Sequence, residues 1–142
     1  MFLAAICSLS LCIHNSIIAQ TTKTIYSTFE VANLKEVTLG FDLKRVEVIT
    51  TKSSRMRIEK TVRVPDISLK LLDYLISTGR YDLVENQDQA SAKSIIKDKK
   101  VNHVLVIKGK ECKEEFSYVV YLPDHIQQVN YLSEGAAHIS KE

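Results

Sequence analysis

Apolar residues fall on every second position along most of this chain, and that period of two limits what it can fold into. Ile25, Phe29 and Val31 alternate with polar neighbours, as do Val37, Leu39, Phe41 and Leu43, and then Val46 and Val48 after a bend at Lys44-Arg45. Met56, Ile58, Val62 and Val64 share one parity, with Arg57, Glu59, Thr61 and Arg63 on the other. Successive side chains of a strand point to opposite faces, so this pattern is that of strands with one face on a core and one in water. Lys60 is the one charge on the apolar parity of its segment. Thr51-Lys52-Ser53-Ser54 reads as a hairpin turn, and the order of the runs predicts an antiparallel meander.

The period changes once. After Pro65-Asp66, residues Ile67, Leu71, Leu72, Leu75 and Ile76 recur at helical spacing. This predicts a helix over Ile67–Thr78, capped by Asp66 and closed at Gly79, with Leu69 and Tyr74 widening a stripe that packs on a sheet face. Beyond it, Arg80–Val84 resumes alternation, Glu85–Ala92 is polar and reads as a loop, and Ser94–Ile96 is ambiguous. Val101–Lys108 and Phe116–Leu122 read as strands of a hairpin with a longer loop, the second apolar on both faces and therefore central. Val129 and Tyr131, then Ala137 and Ile139, are weak final strands. The fold class expected is mainly β (α+β): antiparallel hairpins in one or two sheets with one helix on a face.

The amino terminus reads differently. Phe2–Ile13 is an apolar run of about 12 residues, short of the ~20 needed to cross a bilayer but within the ~7–15 of a signal peptide core. Met1–Ala19 is therefore read as a secretory signal, although no Lys or Arg precedes Lys23 and Ile17 fits the cleavage pattern poorly. A buried terminal strand or helix is the alternative. Lipidation at Cys12 is disfavoured because Leu11 before it is not small. The organisation expected is a signal over 1–19, one β-rich domain over 20–132 and a tail over 133–142. Of three cysteines only Cys112 would survive cleavage, which suits a bacterial envelope protein better than a disulfide-stapled module. Cys112 is read as an incidental surface thiol.

Chemistry is sparsely marked. The net charge of +2 gives no reason to expect nucleic acid as a partner, and Lys97-Asp98-Lys99-Lys100 reads as a solvated turn. His103, His125 and His138 are too far apart in sequence for a local metal site, and no cofactor is expected. Glu114-Glu115 reads as a solvated strand end. Arg80, Tyr81 and Asp82, just after the helix, are the weak ligand-site candidates. Their structural reading is a joint in which Arg80 bonds the last helix carbonyls and Tyr81 adds core area with its hydroxyl at the rim.

Taken in order, the segments "FEVANLKEVTLGFDLKRVEVITT", "RMRIEKTVRVP", "TGRYDL" and "YVVYLP" resemble the adhesin-like β-repeat domains of unknown function in envelope proteins of the Bacteroidota. The resemblance covers roughly Phe29 to Val129. It implies a solenoid-like stack of short strands at the carboxyl end, after Leu122-Pro123, and carries no catalytic residues across. The Ser-, Gly-, Asp- and Asn-rich repeats of that family would follow Leu122-Pro123, where this sequence holds about 20 residues. The function expected is a non-enzymatic structural or adhesin-like binding module, exported to the periplasm or cell surface of a Gram-negative-type bacterium and contacting protein or glycan. The alternatives are a small-ligand or hydrolytic domain with its site near Arg80, Tyr81 and Asp82, and a subunit that completes a sheet with a partner chain through Val101–Lys108 or Val129–Leu132.

Overall fold

The computed structural model describes residues 20–41 and 45–132. The predicted signal, Cys12, Leu43, Lys44, Ala137, Ile139 and the predicted tail lie outside the described residues.

Among the described residues, ten strands and one helix follow in the order β1 (Gln20–Glu30), β2 (Glu36–Gly40), β3 (Val46–Thr51), β4 (Arg55–Pro65), α1 (Leu69–Ser77), β5 (Leu83–Asp88), β6 (Lys93–Asp98), β7 (Val106–Ile107), β8 (Lys110–Glu111), β9 (Glu115–Pro123) and β10 (Gln128–Tyr131). The mainly-β class with one helix packed on the sheets is as expected, but the sheets are mixed where antiparallel ones were expected. The first sheet has the order β1-β4-β9-β3, the second β10-β2-β6-β5, and β7 and β8 form a small ribbon.

Connectivity departs from the meander. β9 pairs antiparallel with β4 but parallel with β3, and β2 pairs parallel with both β6 and β10. Thr51–Ser54 is thus no hairpin turn: β9 lies between the two strands it joins. The run from Val37 to Thr50 divides between the sheets, β2 in the second and β3 in the first. The last strand among the described residues, β10, pairs parallel with β2 at a sheet edge.

Two strand expectations change, each for a packing reason. Val101–Lys108 bends at Asn102-His103 and is paired as a strand only at Val106–Ile107, because both edges of β9 are already taken by β4 and β3. Leu105 instead drops its side chain into the core, while Val101, Val104 and Val106 stay exposed. The predicted loop Glu85–Ala92 is in its first half β5, a polar edge strand on β6; charged and polar edges of this kind suppress further pairing. β7 and β8 turn through Lys108 (φ 50°) and Gly109 (φ 75°), the two positive values of a type I′ hairpin.

The helix is shorter than predicted. Ser68 caps it by accepting from the Leu71 N–H at 3.2 Å, and Asp66 (φ 58°) turns the chain out of β4 instead of capping. Gly79 (φ 73°) closes it as expected. Leu72 is its fully buried residue, whereas Leu69 and Tyr74 face solvent, so the stripe is narrow.

The inner face of the first sheet is covered in two halves. Met56, Ile58, Tyr118, Val120 and Leu122 pack on Val37, Leu39 and Ile96 of the second sheet. Val62 and Val64 pack on Ile67, Leu72, Tyr81 and Leu105 beneath the helix and ribbon. Partly buried Cys112 joins this second cluster, so it is not the surface thiol expected.

Candidate functional site

Lys60 stands on the inner face of β4 between these two clusters. Its parity places it in line with Ile58 and Val62, and its side chain is 3% exposed. Removing an ammonium from water costs several kcal/mol unless it is paired. Here Nζ donates to Asp98 Oδ1 at 2.6 Å and to the Tyr81 carbonyl at 3.0 Å. It also lies 4.5 Å from the Phe116 ring centroid, 5.7 Å from Tyr81 and 5.9 Å from Tyr118, within cation–π range of each. The Tyr118 hydroxyl donates to Asp98 Oδ2, and its ring stacks on Phe41. Asp98 ends the inner face of β6, so the pair joins the two sheets. The run Lys97–Lys100 is therefore more than a solvated turn: Asp98 enters this junction, and Lys99 donates to the Gly79 carbonyl at 3.3 Å.

A second network adjoins it. Arg80 grips Glu114 through two parallel bonds of 2.8 Å, from Nε and from a terminal guanidinium nitrogen, and the latter also donates to the His103 carbonyl at 3.0 Å. The Tyr81 hydroxyl donates to Glu114 at 2.7 Å. Arg80 thus binds a carboxylate where helix carbonyls were expected, and the Tyr81 hydroxyl is buried where a rim position was expected. Glu114, expected at a solvated strand end, lies largely buried. Asp82 is exposed, and its side chain takes no part among the described residues. Of the three predicted site residues, the structure unites Arg80 and Tyr81 and leaves Asp82 aside.

Burial by itself pushes the Glu114 carboxyl up, but the hydrogen bonds from Arg80 and Tyr81, with the positive charge of Arg80 and Lys60, more than reverse this and hold it below its ordinary 4.5. Tyr81 moves the other way: burial first, then its bond to the Glu114 carboxylate, raise its hydroxyl far above 10.0. The bond to Glu114 raises Arg80 in turn. The network is a mutually neutralised joint. A shallow pocket of about 280 Å³ opens beside it, lined by Arg80, Lys99, Lys100 and His103 among others. It sits at the helix carboxyl end, where the dipole opposes an anion.

The outer face of the first sheet is the other candidate, and the strand register maps it in rows. Thr28, Arg57, Tyr121 and Ile49 form one row; Tyr26, Glu59, Val119 and Glu47 the next; Thr24, Thr61 and Ser117 a third; Thr22, Arg63 and Glu115 a fourth. Tyr26 is 65% exposed, and Arg57 lies 4.2 Å over the Tyr121 ring. Arg45, just before β3, joins Arg63, Glu115, Phe116 and Ser117 around a cleft of about 350 Å³ at the end of this face.

Among the described residues no group of His, Cys, Asp and Glu has the arrangement to hold a metal ion, and no helix is long and apolar enough to cross a membrane. His125 Nε2 meets the Val31 carbonyl at 2.9 Å and does not engage Asp124. Sequence reasoning missed Lys60, Asp98, Glu114, Arg45 and Arg63 as site residues. The one visible signal was Lys60 on an apolar parity. Searches with this chain against family models, curated proteins and solved structures return no match.

Proposed function

We propose that this protein is an exported, non-enzymatic contact module of a Gram-negative-type cell envelope, acting at the periplasm or cell surface, and that it binds glycan through the outer face of its four-stranded sheet. The observation that carries the reading is that face: the outer surface of a four-stranded sheet, bearing exposed Tyr26, the stacked Arg57–Tyr121 pair and rows of Thr and Ser hydroxyls. Aromatic rings with a polar edge and guanidinium groups are the side chains enriched where surfaces recognise partners. The signal reading of Met1–Ala19 and the resemblance to adhesin-like β-repeat domains agree with it.

The junction of helix and sheet supports a structural role more than a hydrolytic one. A general base or nucleophile must be within reach of a substrate atom and held ready for it. Arg80, Tyr81 and Glu114 instead spend their bonds on one another.

The test is binding of the purified protein to an array of envelope polysaccharides, compared with the Tyr26→Ala/Arg57→Ala double variant. Binding that is lost in the variant, at an unchanged melting temperature, supports the reading. A blank array, or binding that the double variant retains, overturns it.

A further inference from the structure

We infer that the ligand of this face is an acidic glycan, with a uronate carboxylate seated between Arg45 and Arg63; the inference rests on the glycan-binding reading and names the class of sugar. Arg63 projects from β4 opposite Glu115, and Arg45 immediately precedes Val46, the register partner of Tyr118, which brings it beside Ser117. Both guanidinium groups line the cleft of about 350 Å³.

Among the described residues their charge is unspent. Arg45 donates at 3.4 Å to the neutral carbonyl of Phe116, and neither arginine has an ion pair among the described residues. Glu115, the carboxylate of the lining, lies 3.5 Å from Lys113 Nζ. Two cations therefore face one carboxylate that already has a cation of its own. On the same face Glu59 is held by Arg57 at 3.2 Å, and Glu47 shares its row, one row in from Ser117 at the cleft. The face is thus polar along its length, and a negative group is favoured at the Arg45–Arg63 end and repelled from the Glu47–Glu59 row. A planar carboxylate suits guanidinium forks, which bind it through paired N–H donors.

The neighbouring rows give the carbohydrate character. Beside the cleft lie the hydroxyls of Ser117, Thr61 and Thr24, the last two with their oxygens 3.1 Å apart. Each hydroxyl both donates and accepts, as sugar hydroxyls do. Beyond them Tyr26 offers an exposed ring to the apolar face of a sugar. A chain crossing the rows meets cation, hydroxyls and ring in turn. A nucleic acid backbone, with charge at every unit, would carry phosphates onto the Glu47–Glu59 row.

The test is calorimetric titration of the purified protein with a galactotriose carrying a single terminal galacturonate and with neutral galactotriose, for the wild type, Arg45→Gln/Arg63→Gln and Tyr26→Ala. Wild type should prefer the acidic trimer by about tenfold or more, the worth of a charge-assisted pair. Salt should weaken the acidic trimer alone. Arg45→Gln/Arg63→Gln should equalise the two trimers at an unchanged melting temperature, whereas Tyr26→Ala should weaken both. Equal wild-type affinities, an acidic preference that survives the double arginine variant, or no binding of either trimer overturns the inference. The broader reading survives these outcomes if neutral glycans on the array still bind through Tyr26 and Arg57, and fails with it if they do not.

Discussion

Lys60 Nζ lies 2.6 Å from Asp98 Oδ1, joining the inner face of β4 in one sheet to the last residue of β6 in the other. The two partners are unequally buried: the lysine side chain is 3% exposed and the aspartate 34%. Removing one partner of a buried pair costs most when the charge left behind cannot reach water. Asp98→Ala, which strands the ammonium, should therefore destabilise the protein by about 3 kcal/mol or more. Lys60→Met leaves a carboxylate that can hydrate and should cost about 1–2 kcal/mol. Urea unfolding of both variants checks the order, and a larger loss for Lys60→Met would refute it.

The Arg80–Glu114–Tyr81 network fixes a pH dependence. The folded pKa of Glu114 is below its ordinary 4.5, so the stability it contributes is present above pH 4.5 and is lost as pH falls through the lower folded value. Tyr81 is displaced upward from 10.0, so its contribution is complete below pH 10.0 and is lost as pH rises through the folded value. Glu114→Gln should flatten the acid limb of the stability profile and lower the plateau by about 2–3 kcal/mol, because Arg80 loses a charged partner. Urea midpoints from acid to neutral pH measure both effects. An acid limb of unchanged steepness would show that Glu114 does not govern it.

Helix capping separates two neighbours that look alike in sequence. Ser68→Ala should cost about 1 kcal/mol, the usual loss of an N-cap oxygen. Asp66→Asn should be nearly silent, since Asn also tolerates the positive φ found there. Thermal melts of the two variants decide which residue caps α1.

Two glycines with positive φ should respond unequally to alanine. At Gly109 (φ 75°) a Cβ meets nothing within 4 Å, so Gly109→Ala should cost only the backbone strain of about 1–2 kcal/mol. At Gly79 (φ 73°) a Cβ falls 2.5 Å from Asp82 Oδ2, which must move as well. Gly79→Ala should therefore lower the melting temperature more than Gly109→Ala, and Asp82→Ala should narrow the gap.

What could be read in advance depended on how local the cause was. The inner parity of β4 and the central position of β9 were legible because alternation is a property of neighbouring residues. Val101–Lys108 looks like a strand by the same criterion, yet pairs over only two residues, since a strand also needs an edge and those of β9 are filled. The second part of β5 was illegible for the opposite reason: Glu85–Asp88 are polar because they lie at an edge, and their strand character comes from β6. At the junction, Arg80 and Tyr81 were visible through their place after the helix. Glu114, 34 residues beyond Arg80, and Asp98, 38 beyond Lys60, were not.

The sequence by itself determined the alternating runs of β1 to β4 and β9 with the faces they turn inward, the helix after Pro65-Asp66, and the anomaly of a lysine among apolar neighbours. Those follow from side-chain direction and spacing, which the chain carries everywhere. Tertiary structure alone decided which strands are neighbours, that β3 and β4 flank β9, that Lys60 meets Asp98, and that Arg45 and Arg63 share a cleft. Pairing across tens of residues rests on competition for a limited number of sheet edges, and alternation is silent on who wins it.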